Sequence, residues 1–196
     1  MKKLFFIILS FGAINGFSQD FDKNLASART SYSSGDLENS RFAMEQMLRD
    51  LDIAIGKEIV KLLPATLANL KVDEKSDNVS GSGFGLVIHR TYGADPKAAS
   101  LDIVNNSPLI NSLNAMLNMP LIGGMMHDEN QKQVKIQGYK SMLNRTVDSE
   151  SGKTSYELQI PMNNTLVTLK IADTNEGEIT QAANTLPLSK IVAIAQ

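Results

Sequence analysis

Cysteine is absent from the 196 residues of this chain. No disulfide can therefore cross-link the fold, no lipid can be attached to a cysteine behind an export signal, and no thiol nucleophile is available. Tryptophan is also absent, and there are only four tyrosines and seven phenylalanines, which argues against a platform of stacked rings for carbohydrate. A chain of this length can bury a sizeable apolar core, and we expect its stability to depend on that core.

An excess of basic residues is missing as well. The chain has 19 lysines and arginines against 21 acidic residues. Without Lys2 and Lys3, which belong to the N-terminal segment described next, 17 basic residues remain and the net charge is −4. This balance predicts that neither a nucleic acid nor an anionic lipid surface is the main partner. No second hydrophobic run reaches the roughly 20 residues of a membrane-spanning helix, so no transmembrane span is expected.

Residues 1–18 have the three parts of a secretory signal peptide. Two lysines give a positive start, about ten apolar residues follow, and the small residues Gly16 and Ser18 precede a cut at Gln19. An N-terminal membrane anchor is the alternative, but the apolar run is too short to span a bilayer. We therefore predict that the mature protein begins near Gln19 and is periplasmic or secreted.

Residues 19–70 are predicted to form a helical hairpin. The first helix has apolar residues at steps that place them on one helical face, namely Phe21, Leu25, Ala28 and Tyr32. Gly35 suits a left-handed turn at the end of this helix, and Asp36 is a favourable N-cap for the second. The second helix is predicted to run to Pro64, with an apolar stripe of Met44, Met47, Leu48, Leu51, Ile55, Ile59 and Leu62.

This hairpin resembles one tetratricopeptide-type unit. The resemblance rests on Ala28, Tyr32, the segment Gly35–Glu38 and Ala43. A repeat array needs several copies to bury its apolar faces, and the sequence contains no second copy. We therefore expect a lone hairpin that packs on its own domain or on a partner.

The segment Lys71–Ser80 is polar and charged, and is predicted to be a linker. Beyond it the hydrophobic period changes from helical to alternating, which predicts an α+β domain over residues 80–196. Its expected strands are 84–92, 99–104, 134–142, 156–160 and 166–171. One helix is predicted to start at Pro108, and another to follow the capping pair Asn175 and Glu178. Short connections predict an antiparallel sheet, with helices packed on one face.

The sequence has few motifs that carry chemistry. The loop Gly81–Gly85 resembles a phosphate-binding glycine loop, but a strand follows it where a helix is required. His89 and His127 are the only histidines, and they are too few for an ordinary zinc site without cysteine. His89 is therefore expected to be a structural side chain, and the glycine loop a flexible start to a strand.

The segment Met116–Met126 has three possible roles. Its four methionines lie close to His127, and thioethers with imidazole can bind Cu(I). Methionine also fills cores and forms adaptable contact surfaces. The sequence leaves open whether this segment is core, a mobile apolar lip for a partner, or a metal site.

No catalytic constellation is recognisable. The chain has no Gly-x-Ser-x-Gly elbow, and the acid pairs Asp50 with Asp52 and Asp73 with Glu74 lie on polar stretches that are expected to be solvated. We therefore predict that the protein is not an enzyme, and we assign no catalytic, cofactor-binding or metal-binding residue and no cofactor.

Two further resemblances concern families. The segments Phe17–Gln19, Gly35–Glu38 and Gly56–Glu58 resemble uncharacterised exported proteins of Bacteroidetes-type bacteria. The C-terminal part, from the predicted strand 166–171 to Leu188–Ile191, is similar to the PsbP-like α+β sandwich. Members of that second family mostly bind or assist other proteins, so the resemblance implies a non-enzymatic role and assigns no residue.

These observations predict an accessory protein that binds another protein of the cell envelope. The alternative is a carrier of a small molecule or lipid, with a pocket between the sheet and a helix. The sequence leaves the identity of any partner or ligand, the oligomeric state, and the choice between periplasm and extracellular space open.

Overall fold

The computed structural model describes residues 16–82, 85–94, 96–119 and 130–195. The chain divides into two compact units, one ending at Asp50 and the other starting at Leu51. The predicted α+β class, with helices ahead of an antiparallel sheet, is confirmed. No helix within the described residues is long and apolar enough to cross a membrane.

The first unit is a helical hairpin. It contains α1 (Gly16–Ser33) and the first half of α2 (Leu37–Leu62), which continues into the second unit. The turn between them needs glycine, because Gly35 has a φ of 81°. The predicted cap is also present, since Asp36 Oδ1 accepts a hydrogen bond from the Asn39 amide at 3.1 Å.

The second unit is built on one sheet. Its strands within the described residues are β1 (Thr66–Leu67), β2 (Leu70–Ser82), β3 (Gly85–Ala94), β4 (Lys97–Asn105), β5 (Gln131–Ile136), β6 (Tyr139–Val147), β7 (Thr154–Met162) and β8 (Thr165–Ile171). The order across the sheet is β1-β2-β3-β4-β8-β7-β6-β5, and every neighbouring pair is antiparallel. Two four-stranded meanders therefore meet where β4 pairs with β8.

Two tight turns fix the register of the outer strands. Ala68 and Asn69 join β1 to β2 with φ values of 49° and 63°, and Gln137 and Gly138 join β5 to β6 with 50° and 89°. Two-residue loops with positive φ at both positions have the twist that hairpins require.

The main core lies on one face of this sheet. It contains the second half of α2, together with α4 (Glu176–Asn184) and α5 (Leu188–Ala195). Inward-facing strand residues alternate with outward-facing ones, as in Leu101 and Ile103 of β4. Gly56 of α2 lies so close to the sheet that an added Cβ would meet Val79, and Leu86 at 2.7 Å.

The helix α3 (Leu109–Asn118) is an exception to the prediction that helices pack on one face. Its buried residues Ile110, Leu113 and Leu117 pack against Met142 and Leu166. Neighbours of these two strand residues point into the main core on the other side, because side chains alternate along a strand. The helix α3 therefore covers part of the opposite face.

The prediction that Lys71–Ser80 forms a linker is wrong. These residues belong to β2, which pairs with β3 on both sides of an irregularity between Asp73 and Asn78. Polar residues are tolerated because β2 lies near the edge of the sheet, where charge and bulges are common. Its half-buried Val72 and Val79 pack against the core.

Candidate functional site

The hairpin buries small residues in its own interior. Ala28, Ser40 and Ala43 are each only 3% exposed, and Ser40 Oγ donates a hydrogen bond to the Ala28 carbonyl at 3.0 Å. A second contact joins Asn24 Nδ2 to Asp50 Oδ2 at 3.4 Å. Small residues let the helix backbones approach, but they bury little apolar area.

Most large apolar side chains of the hairpin are exposed instead, although Phe21 and Met47 are half-buried. We call five of them the hairpin apolar face: Leu25 (48% exposed), Tyr32 (67%), Leu37 (62%), Met44 (49%) and Leu48 (55%). Scattered exposed apolar residues are normal, whereas a contiguous patch marks an interaction site.

Helical geometry places these five residues on one side of the hairpin. With about 100° per residue, Leu25 and Tyr32 coincide on α1, and Leu37, Met44 and Leu48 fall within about 40° of each other on α2. On α1, Leu25 and Tyr32 are rotated by about 60° and 40° from the buried Ala28. On α2, the three residues centre about 90° from the midpoint of the buried Ser40 and Ala43, in the same sense about the helix axis. Because the helices are antiparallel, rotations in the same sense bring both groups to the same side.

Charges of both signs border this face. Arg29 and Asp22 flank it on α1, and Arg41 flanks it on α2, where its Nε contacts Glu45 Oε1 at 2.9 Å. From Asp20 to Asp50 the hairpin has four basic and six acidic residues. An apolar centre with a mixed polar rim is typical of a protein interface, whereas helices that lie on membranes are rich in lysine and arginine.

His89 lies on the outward face of β3, opposite Asp102 of β4. Its Nδ1 lies 2.6 Å from Asp102 Oδ1, and its Nε2 lies 3.3 Å from Thr91 Oγ1. A carboxylate next to an imidazole that is next to a hydroxyl resembles the arrangement that activates a nucleophile. However, both members of the pair are about two-fifths exposed, and the β3 and β4 amides nearby serve strand pairing, so they offer no ready oxyanion site.

The row of residues around His89 is polar. Its cross-strand neighbours from β2 to β7 are Asn78, His89, Asp102, Thr168 and Gln159. Within the described residues, no group of three or more histidines and carboxylates could hold a metal ion. The arrangement therefore resembles a solvated sheet face, with His89 and Asp102 as a structural pair.

A cleft of about 300 Å³ lies at the rim of the sheet, where α4 meets two strand connections. We call it the rim cleft. It is lined by Ala68, Asn69, Leu70, Lys97, Glu178, Gln181, Ala182 and Thr185. Polar and apolar atoms share its lining, and it is open to solvent. None of these residues was predicted as a site, because they come from distant parts of the sequence.

A buried ion pair lies on the inner face of the sheet. Arg90 is 6% exposed, and its Nε and Nη2 donate to the two Asp77 carboxylate oxygens at 2.8 and 2.6 Å. The hydrogen bonds to Asp77 raise the pKa of Arg90. Next to it, the buried hydroxyl of Tyr92 has no hydrogen-bond partner within the described residues. Arg90 and Tyr92 are buried and only the Asp77 side chain is partly exposed, so we interpret this cluster as structural.

The predicted glycine loop is a strand connection. Gly81 and Ser82 end β2, Gly85 begins β3, and Ser82 pairs with Gly85. A Cβ at Gly85 would lie 2.6 Å from the Asn105 carbonyl oxygen, so glycine is required there by close backbone approach. The loop residues 83 and 84 lie outside the described residues.

The methionine segment is only partly described. Met116 is half-buried against the α3 cluster, and Met119 is 54% exposed. Met125, Met126 and His127 lie outside the described residues. Of the acid pairs, Asp73 and Glu74 are exposed as expected, whereas Asp50 and Asp52 are half-buried.

No protein-family model matches the chain, and no curated protein matches it.

Proposed function

We propose that this protein is a non-enzymatic accessory protein of the periplasm or extracellular space, and that it binds another protein through the hairpin apolar face. The exposure of five large apolar side chains on one side of the hairpin supports this. Leaving them in water is unfavourable by roughly 25 cal/mol per Å² of apolar surface. A partner that covers them recovers this free energy.

The composition of the hairpin supports a protein partner over a lipid surface. Its six acidic residues outnumber its four basic ones, and anionic lipids attract the opposite balance. The partner is expected to present an apolar surface of its own, with charges that meet Arg29 and Arg41.

Affinity capture from an envelope fraction tests this proposal. A Tyr32→Asn, Leu48→Asn double variant should lose the captured partner, because two large anchors are removed from the apolar face. Phe42→Asn is the matched control, since Phe42 is 60% exposed on α2 but lies about 140° away from Leu37 around the helix. Repeated captures without a partner, or equal losses in both variants, would contradict the proposal.

A small-molecule carrier is the second candidate function. The rim cleft favours it, because its volume is at the lower end of the range for ligand pockets. An open, half-polar cleft of this size fits a small polar molecule better than a lipid chain. Native mass spectrometry of gently isolated protein would detect a retained ligand.

A further inference from the structure

The rim cleft brings together opposite charges from distant parts of the chain. Lys97 starts β4 and Glu178 lies in the first turn of α4. Lys97 Nζ is 3.5 Å from Glu178 Oε2, and the two side chains are 40% and 46% exposed. This separation is longer than that of a tight charged hydrogen bond, so a ligand can replace the direct contact.

The Glu178 carboxylate is held in place and ionised. Thr174 Oγ1 donates a hydrogen bond to Glu178 Oε2 at 2.7 Å. This bond, and then the charge of Lys97, lower the pKa of Glu178. At neutral pH the cleft therefore presents a carboxylate and an ammonium group side by side.

Two side-chain amides complete the polar lining. Asn69 and Gln181 line the cleft, and neither side chain has a hydrogen-bond partner among the described residues. Asn69 is presented by the tight β1–β2 turn at a φ of 63°. Ala68, Leu70 and Ala182 supply apolar surface beside them. The cleft thus combines both charges, free amides and a small apolar area.

We propose that the rim cleft binds a small zwitterion, namely a free amino acid or a dipeptide. The ligand carboxylate binds Lys97, and its ammonium group binds Glu178. Asn69 and Gln181 donate to and accept from the remaining polar atoms of the ligand. This inference rests on the second candidate function and is independent of the hairpin apolar face.

A second lysine–glutamate pair provides a matched control. Lys132 Nζ contacts Glu176 Oε1 at 2.7 Å, which also joins a strand to the first turn of α4. Neither residue lines the cleft. Substitutions in this pair change the same charges near the same helix but leave the rim cleft intact.

Isothermal titration calorimetry of the full chain with each of the twenty amino acids and with glycylglycine tests this inference. At least one should bind saturably, and Lys97→Met and Glu178→Gln should each weaken it by about tenfold or more, which corresponds to one lost charged contact. Lys132→Met and Glu176→Gln should change the affinity by less than about twofold. Circular dichroism confirms that each variant is folded.

Acetate and methylammonium distinguish a zwitterion site from a single-charge site. Each should bind far more weakly than the amino acid. The inference would be overturned if acetate bound as tightly as the amino acid, or if Lys132→Met weakened binding as much as Lys97→Met. It would also be overturned if no amino acid bound saturably in the millimolar range. The Lys97 variant should still capture a protein partner, and the Tyr32, Leu48 double variant should still bind the amino acid, so the two proposals fail separately.

Discussion

Arg90 lies on the inner face of the sheet, and its charged side chain is almost completely buried. Its partner Asp77 belongs to the irregular stretch of β2, where Ser76 also accepts a hydrogen bond from the Thr91 amide at 2.9 Å. The ion pair therefore attaches this irregular stretch to β3. Removal of one partner leaves an uncompensated charge in the interior.

We expect Asp77→Ala to lower the free energy of unfolding by about 3 kcal/mol, because it leaves the Arg90 guanidinium buried and unpaired. Arg90→Met should cost less, because methionine fills much of the space and the Asp77 side chain, 20% exposed, can be hydrated. Urea unfolding followed by circular dichroism measures both. A larger loss for Arg90→Met would contradict this explanation.

Tyr92 gives a prediction about alkaline pH. Burial raises the pKa of its hydroxyl, although the nearby Arg90 opposes the rise. Below about pH 10 the phenol is neutral in both the folded and the unfolded state. Above that pH only the unfolded state ionises readily, so the free energy of unfolding falls as the pH rises through the folded-state pKa.

Tyr92→Phe removes the contribution of this phenol to the pH dependence of the free energy of unfolding. At neutral pH the substitution should change the free energy of unfolding by less than about 1 kcal/mol, because the hydroxyl has no ordinary partner to lose. Its thermal midpoint should fall less than that of the wild type between pH 9 and 11. Parallel declines for the two proteins would show that Tyr92 does not titrate differently on folding.

At the scale of elements, the β5–β6 turn also caps a helix. Gln137 Nε2 donates to the carbonyl of Asn184, the last residue of α4, at 3.2 Å and to that of Leu186, just beyond the helix, at 2.7 Å. The same residue has a φ of 50°, for which asparagine is better suited than glutamine. Turn preference and helix capping therefore favour different residues at this position.

We expect Gln137→Asn to destabilise the protein by about 1 kcal/mol, because the shorter side chain loses hydrogen bonds that outweigh the better turn. Gln137→Ala should lower the free energy of unfolding slightly more, because alanine loses the hydrogen bonds and does not improve the turn. Urea unfolding gives the magnitudes, and faster hydrogen exchange near the end of α4 would locate the loss. If Gln137→Asn were stabilising, the turn and not the cap would determine this position.

Local signals identified some elements well. The pair Asn175 and Glu178 predicted the start of α4, and Asn175 Oδ1 accepts a hydrogen bond from the Glu178 amide at 3.0 Å. In contrast, β2 was missed, because its polar residues lack the alternation of a half-buried strand. Its pairing with β3 is a tertiary contact, which overrides weak local preference.

At the scale of the molecule, the two units have unequal interiors. The main core contains residues from Ile55 to Ala195, whereas the hairpin contributes Ala28, Ser40 and Ala43 as buried residues. We expect a fragment of residues 51–196 to unfold cooperatively in urea, because it keeps this core. A fragment of residues 19–50 should be largely unfolded, since short isolated helices are marginal in water. A non-cooperative transition for the longer fragment would contradict this division.

The sequence by itself determined several properties of this protein. The lack of cysteine excludes disulfides, and apolar spacing predicts the hairpin and most strands. These properties depend on composition or on neighbours within one turn or one strand. Export remains a prediction from the first 18 residues.

Only the tertiary structure decided which surfaces are available for binding. Apolar spacing placed Ala28 and Tyr32 on one helical face, but the hairpin buries the small residue and exposes the large one. The rim cleft joins Asn69, Lys97 and Glu178, and α3 packs on the sheet face opposite the main core. The physical reason is the same in each case: these contacts join residues far apart in the chain, and local spacing carries no information about which distant surface will cover a side chain.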